Sequence, residues 1–382
     1  MDPFLLQEQP SYTAYRQRFL DIVAQRGGVV QHYEHPLAGR DGETLYTDVA
    51  RFGKPDAKKW LISISGTHGV EGYYGSMCQH LYLQQFDPAS LDDDTALLFI
   101  HLINPWGTSW IRRVNEDNVD LNRNFIDFSQ PLPTNPVYER VAALFGRQSL
   151  DPSFRTQARK AWDEAEAELG RALLQSQVQA GQHHDPDGIF FAGHHATWSN
   201  RTLHAIFDTL PDTCTDAICM DLHTGAGEYG HPMLMAISDR HYPGIDDAKA
   251  LFGPWLYVVY TAMGTTSETG ISASTDGYTS QTLVNRMHDK RFMQLVIECG
   301  TYTFPLVEHP VMDDNYLHLS GDDPRGETEF GKETKHRLLE FFFPHDADWR
   351  ETAWLRTRQI FDRALEDLLS RKVSDEQSEL SR

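Results

Sequence analysis

Short apolar runs punctuate the chain, and several stop abruptly at polar residues. Trp60-Leu-Ile-Ser-Ile64 runs into Ser65-Gly66-Thr67. Ala96-Leu-Leu-Phe-Ile-His-Leu-Ile103 stops at Asn104-Pro105. Ala217-Ile-Cys-Met220 stops at Asp221-Leu222-His223, and Phe292-Met-Gln-Leu-Val-Ile297 stops at Glu298-Cys299-Gly300. A further run covers Leu256 to Tyr260, and a shorter strand pattern lies around Leu45 to Ala50. Apolar runs of this length predict strands buried on both faces. Helical patterns alternate with them. Tyr15, Phe19, Ile22 and Val23 share one face of a helix between Tyr12 and Gln25, and Glu71 to Gln85 reads as the helix after the first strong strand. The alternation predicts an α/β fold, with a central mixed, largely parallel twisted sheet flanked by helices.

The region 135–182 turns helical, with Trp162, Ala165, Leu169 and Leu173 on one apolar stripe, which predicts an insertion packed on the side of the sheet. More helix is expected over 332–369, broken near Phe343-Pro344-His345. With no Gly/Ser-rich or Pro-rich linker and no internal repeat, one domain over 1–372 is expected, followed by a flexible polar tail over 373–382.

Composition narrows the partners. The 382 residues are 40% hydrophobic, enough for a large core, and the net charge of -21 repels phosphate backbones and anionic lipid. Neither nucleic acid nor membrane partners are expected. The chain has no apolar stretch of about 18 residues and no basic-then-apolar N-terminal segment, so a cytoplasmic protein is expected. No feature fixes an oligomeric state. Cys78, Cys214, Cys219 and Cys299 form no C-x-x-C pair, which predicts buried thiols and excludes a cysteine zinc site.

In open α/β sheets ligands collect at the carboxyl ends of strands. His68, Asn104, His223 and Glu298 each sit at or just after such an end. Of the 18 histidines only His68 has a glutamate three residues on. In Gly66-Thr67-His68-Gly69-Val70-Glu71-Gly72 the histidine falls in the turn and Glu71 at the start of the helix, so both can face one point. Zinc takes imidazole and carboxylate together. Alone, H-x-x-E is a weak signal, and a lone His223 is as easily a satisfied core histidine. Asp221 is either its hydrogen-bond partner or a turn residue. Arg112, Arg113 and Arg123 fall within twelve residues of an acidic chain. Such a cluster recognises carboxylates and oxyanions, or else pairs with Glu116, Asp117 and Asp120. Glu298, after a buried strand, must be solvated, paired or functional.

Together His68-x-x-Glu71, Asn104-Pro105-Trp106-Gly107, Val119-Asp-Leu-Asn-Arg-Asn-Phe125, Asp221-Leu222-His223 and Glu298 resemble the zinc carboxypeptidase superfamily, in the same order, over roughly residues 60 to 300. The chain looks closest to a bacterial branch, and Asp221-Leu-His-Thr-Gly225 also resembles the aspartoacylase and succinylglutamate desuccinylase branch. The resemblance implies one zinc ion per chain held by His68, Glu71 and His223. It implies that Glu298 is the general base and that Arg113, seven residues before Asp120, stabilises the oxyanion. It further implies that Asn122 and Arg123, with Arg112 beside them, bind the substrate carboxylate. The substrate would be a small peptide or an N-acyl amino acid.

The chain departs from the family in Trp106, where Asp is usual, and in the long interval from Glu71 to His223. Tyr278 and Tyr302 are candidates for the tyrosine that caps substrate in the family. A carboxypeptidase and an N-acyl amino acid deacylase both fit, and a non-catalytic binding protein on the same fold is a third alternative. Glu228 is a rival base. His183-His184 and His194-His195 match no familiar metal spacing, and Trp198 to Arg201 reads as packing. There is no G-x-S-x-G elbow and no P-loop.

Overall fold

The computed structural model describes residues 10–146, 152–261, 275–303, 306 and 309–372. The tail expected over 373–382 lies outside them. The chain opens with α1 (Tyr12–Gln25), then β1 (Val29–Ala38), β2 (Thr44–Phe52), β3 (Lys59–Ser65), α2 (Gly72–Gln85), β4 (Thr95–His101) and the short α3 (Pro105–Ser109). The region expected to be an insertion holds α4 (Pro136–Val141), α5 (Pro152–Leu169) and α6 (Arg171–Gln179), and α7 (Trp198–Phe207) follows. Then come β5 (Asp216–Thr224), β6 (Pro232–Ser238), α8 (Pro243–Phe252), β7 (Leu256–Tyr260), α9 (Thr279–Arg286) and β8 (Arg291–Cys299). The described chain closes with α10 (Pro310–Ser320), α11 (Glu329–Phe342) and α12 (Ala347–Ser370).

The eight strands form one sheet in the order β1-β2-β4-β3-β5-β8-β6-β7. The central strands β4, β3, β5 and β8 run parallel, while β2 joins β4 and β6 joins β8 antiparallel. This is the mixed, largely parallel sheet expected, flanked by helices. Every residue of β3 and β4 is buried, as continuous apolar runs require. β1 and β6 carry no strand expectation from sequence. β1 is a largely exposed edge strand with scattered polar residues. β6 reads Pro-Met-Leu-Met-Ala-Ile-Ser, whose Met, Leu and Ala favour helix as readily as strand.

Register sets one face of the sheet. His223 pairs with Glu298 across β5 and β8, Met233 pairs with Glu298 and Met235 with Val296 across β8 and β6, and Met235 pairs with Tyr257 across β6 and β7. Paired positions share a face, and so do alternate residues of one strand. Asp221, His223, Glu298, Val296, Met233, Met235, Ile237 and Tyr257 thus form one surface, and all of them line a single large cavity.

Candidate metal centre

The centre starts at the junction of β3 and α2. After Ser65 the chain turns through Gly66-Thr67-His68-Gly69-Val70 and enters the helix with Glu71 at its N-cap position. Gly69 allows the turn to press against the Asn104 loop, since a Cβ there would sit 2.1 Å from the Gly107 carbonyl carbon. The backbone N–H groups of Gly69 and Val70 donate to the carbonyls of Arg113 and Arg112, at 3.0 and 2.8 Å. The backbone alone therefore fixes the His68 turn and the arginine segment to each other.

Within this frame His68, Glu71 and His223 are buried at 4%, 1% and 2% exposure. His68 Nδ1 lies 2.8 Å from Glu71 Oε1, and His223 Nδ1 lies 3.0 Å from Glu71 Oε2. The opposite ring edges meet other carboxylates: His68 Nε2 is 3.0 Å from Asp120 Oδ1, and His223 Nε2 is 3.0 Å from Asp221 Oδ2. Both nitrogens of each ring thus face carboxylates, and a metal taken by Nδ1 would leave the ring hydrogen on Nε2, where Asp120 or Asp221 accepts it. Two Nδ1 atoms and a carboxylate then converge, with one ligand atom from each of the three residues within 4.8 Å of the others. This donor set suits a divalent transition metal. It is the one such group among the described residues.

The charges hold one another. Burial raises the pKa of Glu71, but the His68 and His223 rings outweigh it and keep the carboxyl well below the ordinary range. Burial opposes a charge on His223, yet Asp221 and Glu71 raise its pKa well above the usual imidazole value. Burial also raises Asp120, and Arg113 and His68 reverse the effect. Arg113 donates from Nε to Asp120 Oδ2 and from Nη1 to Glu71 Oε1, both at 3.0 Å. Glu298 receives the Ala226 N–H at 2.9 Å. Burial, aided by the Glu71 carboxylate, pushes its carboxyl up to about 7.

The other expected residues divide. Asn122 and Arg123 lie in the cavity wall, Asn122 Nδ2 standing 3.5 Å from His223 Nε2. Tyr278 lines the cavity with its ring 5.2 Å from the Arg123 guanidinium carbon. Tyr302 also lines it, but its hydroxyl donates to Glu340 at 2.9 Å. Glu228 lines the cavity as well.

Arg112 does not belong to the site. Consecutive side chains leave the backbone on different sides, and this one is buried against Asp314 Oδ2 at 2.9 Å and Asn118 Oδ1 at 3.0 Å. Asn104 is also absent from the cavity wall; its Oδ1 accepts the Gly107 N–H at 2.9 Å and caps α3. His183 and His194 contact the carbonyls of Gly193 and His183, consistent with structural roles. Sequence reasoning missed Asp120 as the partner of His68, although it opens the Asp-Leu-Asn-Arg motif. It also missed Thr67, whose hydroxyl lies 2.9 and 3.0 Å from the two Asp221 oxygens.

Fold and site together define an α/β protein with a buried two-histidine, one-glutamate cluster at the carboxyl ends of its parallel strands. The chain belongs to the family described as protein of unknown function (DUF2817), whose model matches residues 9–356. No curated protein matches it. Among solved structures it is similar to carboxypeptidase A from Helicoverpa armigera, at 12% identity and a TM-score of 0.43, covering 86% of this chain and 73% of that one. It is also similar to a metallo-carboxypeptidase from Pseudomonas aeruginosa, at 13% identity and a TM-score of 0.38, covering 93% of this chain and 68% of that one. Among the described residues no helix is long and apolar enough to cross a membrane.

Proposed function

We propose that this protein is a zinc-dependent hydrolase that cleaves an amide bond next to a free carboxylate. One observation carries the reading. Two imidazole nitrogens and the Glu71 carboxylate converge on one point, while Glu298 stands beside His223 on the neighbouring strand. His68, Glu71 and His223 would hold the ion, a set typical of catalytic rather than structural zinc. When bound, zinc supplies Lewis acidity that polarises a carbonyl and eases the loss of a proton from water.

The chain's own groups do the rest. Glu298, raised towards neutrality, takes a proton and returns it to the leaving nitrogen. Arg113, held by Asp120 and Glu71, offers its cationic edge to the developing oxyanion. Asn122 and Arg123 receive the free carboxylate, and Tyr278 covers them. Beyond Glu298 the sheet face is apolar through Met233, Met235, Ile237 and Val296, which suits an apolar side chain on the leaving residue.

The cavity of about 690 Å³ holds a short substrate rather than a folded chain. Peptide and N-acyl amino acid both meet these requirements. The second reading draws support from the apolar wall near Arg113, where the Phe190 and Phe342 ring centroids lie 5.8 and 6.0 Å from the guanidinium carbon. A short acyl group fits such an enclosure.

Metal analysis of the purified protein, with turnover of short peptides and N-acyl amino acids, tests the reading. One zinc per chain is expected. Glu298→Gln should keep the metal and lose about 100-fold or more in turnover. Equal turnover in wild type and Glu298→Gln would remove Glu298 from the mechanism, and full zinc occupancy in His223→Ala would dismiss the centre.

A further inference from the structure

The helical insertion reaches the cavity: Gln175 and Gln179 of α6 line it. The last turn of a helix leaves carbonyls that need donors. At the end of α6 the backbone N–H groups of Ala180 and Gly181 serve Ser176 and Val178, and side chains from other segments serve the rest. Asn135 Nδ2 donates to the carbonyls of Gln177 and Gly181, at 2.7 and 2.8 Å. The Thr275 hydroxyl donates to the Ala180 carbonyl. Arg123 donates from Nε and Nη2 to the Gln179 carbonyl, at 2.9 and 2.6 Å, and from Nη1 to its neighbour's carbonyl at Asn122, at 3.0 Å. A guanidinium at the negative end of a helix is favourably placed.

Arginine has five N–H groups, and three of those on Arg123 are taken. One N–H remains on each of Nη1 and Nη2, the pair that a carboxylate accepts end-on. Arg123 is only 6% exposed and lines the cavity, so its direction is set by the carbonyls behind it. Gly181 stands against the same side chain. It has φ of +90°, and a Cβ there would lie 3.0 and 3.1 Å from Arg123 Cγ and Cδ.

We propose that α6 aims Arg123, so that docking of the insertion sets the affinity for the substrate's carboxylate, with Asn135 as the positioning residue. This rests on the reading of Arg123 as the carboxylate ligand. Asn135 joins the two ends of the device: its Oδ1 accepts the Tyr138 N–H at 3.0 Å and caps α4, while its Nδ2 holds the end of α6. The insertion is then a specificity wall of the active site.

The test uses benzoyl-glycyl-leucine and its C-terminal amide with four proteins: wild type, Asn135→Asp, Gly181→Ala and Arg123→Ala. Asn135→Asp keeps the α4 cap but loses both donors to α6. Gly181→Ala displaces the Arg123 stem from the other side. Both should raise KM for the free acid about tenfold, leave kcat within about twofold, and leave the amide unchanged. Calorimetric binding of the same pair to the zinc-loaded proteins, each also carrying Glu298→Gln, reads the effect with turnover suppressed. If Arg123→Ala keeps the full preference for acid over amide, the carboxylate role of Arg123 fails. If Arg123→Ala loses that preference while Asn135→Asp and Gly181→Ala keep it, the role of α6 is overturned. An equal loss for acid and amide in both variants, with a lowered unfolding midpoint, also overturns it, because a purely structural defect does not distinguish the two ligands.

Discussion

Asp120 and Asp221 lie behind the ring edges of His68 and His223 that face away from Glu71. With a metal on Nδ1, each accepts the hydrogen left on Nε2 and so orients the ring, although His68 Nε2 also lies 2.9 Å from Arg113 Nη2. Asp221 is in turn met by the Thr67 hydroxyl. Asp221→Ala should weaken zinc binding about 10- to 100-fold, read by competition with a chromophoric chelator, and Asp221→Asn, which can still accept from Nε2, should lose less. Equal affinity in Asp221→Ala and wild type would mean that His223 is oriented by packing alone. The juxtaposition of His68 and Glu71 was legible in the sequence, because a histidine with a glutamate three residues on, directly after an apolar run, places both at a strand-to-helix turn. The role of Asp120 was not legible. It depends on contact with a residue 52 positions earlier in the chain, and spacing carries no such information. The pair Arg112 and Arg113 shows the same limit. Identical neighbours meet opposite surroundings, one the cavity and the other Asp314.

Elements were legible where burial is two-sided. β3, β4, β5 and β8 are nearly continuous apolar runs because neighbours cover both faces. The edge strand β1 has no such cover and so no such pattern. The broken helix expected over 332–369 is α11 and α12, which meet at Phe343-Pro344-His345. α12 does more than close the chain. Trp349 is 1% exposed, its Nε1 donates to the Gly300 carbonyl at 2.8 Å, and its ring meets Tyr74 of α2 and Phe343. Gly300 lies two residues beyond Glu298, so the helix braces the strand end that carries the proposed base. Trp349→Ala should cost about 3–5 kcal/mol of unfolding free energy, measured by denaturant titration, because it opens a large cavity and removes one of the two N–H donors to the Gly300 carbonyl, the Gly230 N–H at 2.9 Å remaining. A loss under about 1 kcal/mol would place α12 outside the cooperative core.

At the scale of the whole molecule two electrostatic effects oppose each other as pH falls. The net charge of -21 gives self-repulsion that protonation relieves, which favours the folded state in mild acid. Buried histidines whose pKa is pushed down act the other way. His101 on β4 is fully buried, stacked on Phe19 with ring centroids 4.1 Å apart and 2.7 Å from the Ser76 hydroxyl. Burial pushes its pKa down from 6.5 to about 3; Asp48 opposes the shift, and Arg16 and His80 add to it. In the unfolded chain the same ring takes up its proton near 6.5. The stability contributed by the neutral ring is therefore complete above about pH 6.5 and is lost as pH falls towards about 3. Within that window the loss is about 1.4 kcal/mol per pH unit for one such group. Long-range repulsion among surface charges is weakened at physiological ionic strength, whereas the desolvation of a buried ring is not. His309 and His318, also pushed down to about 3 by burial, add the same loss, while Glu298, raised to about 7, offsets one of these three terms. The buried groups should thus prevail, and unfolding free energy should fall between about pH 6.5 and about pH 5. His101→Gln removes the titrating group and offers Ser76 an amide instead. Its unfolding free energy, followed by denaturant titration across that interval, should have a slope shallower than that of wild type by about 1 kcal/mol per pH unit, whatever its stability at neutral pH. Parallel slopes for the two proteins would assign acid sensitivity to other groups.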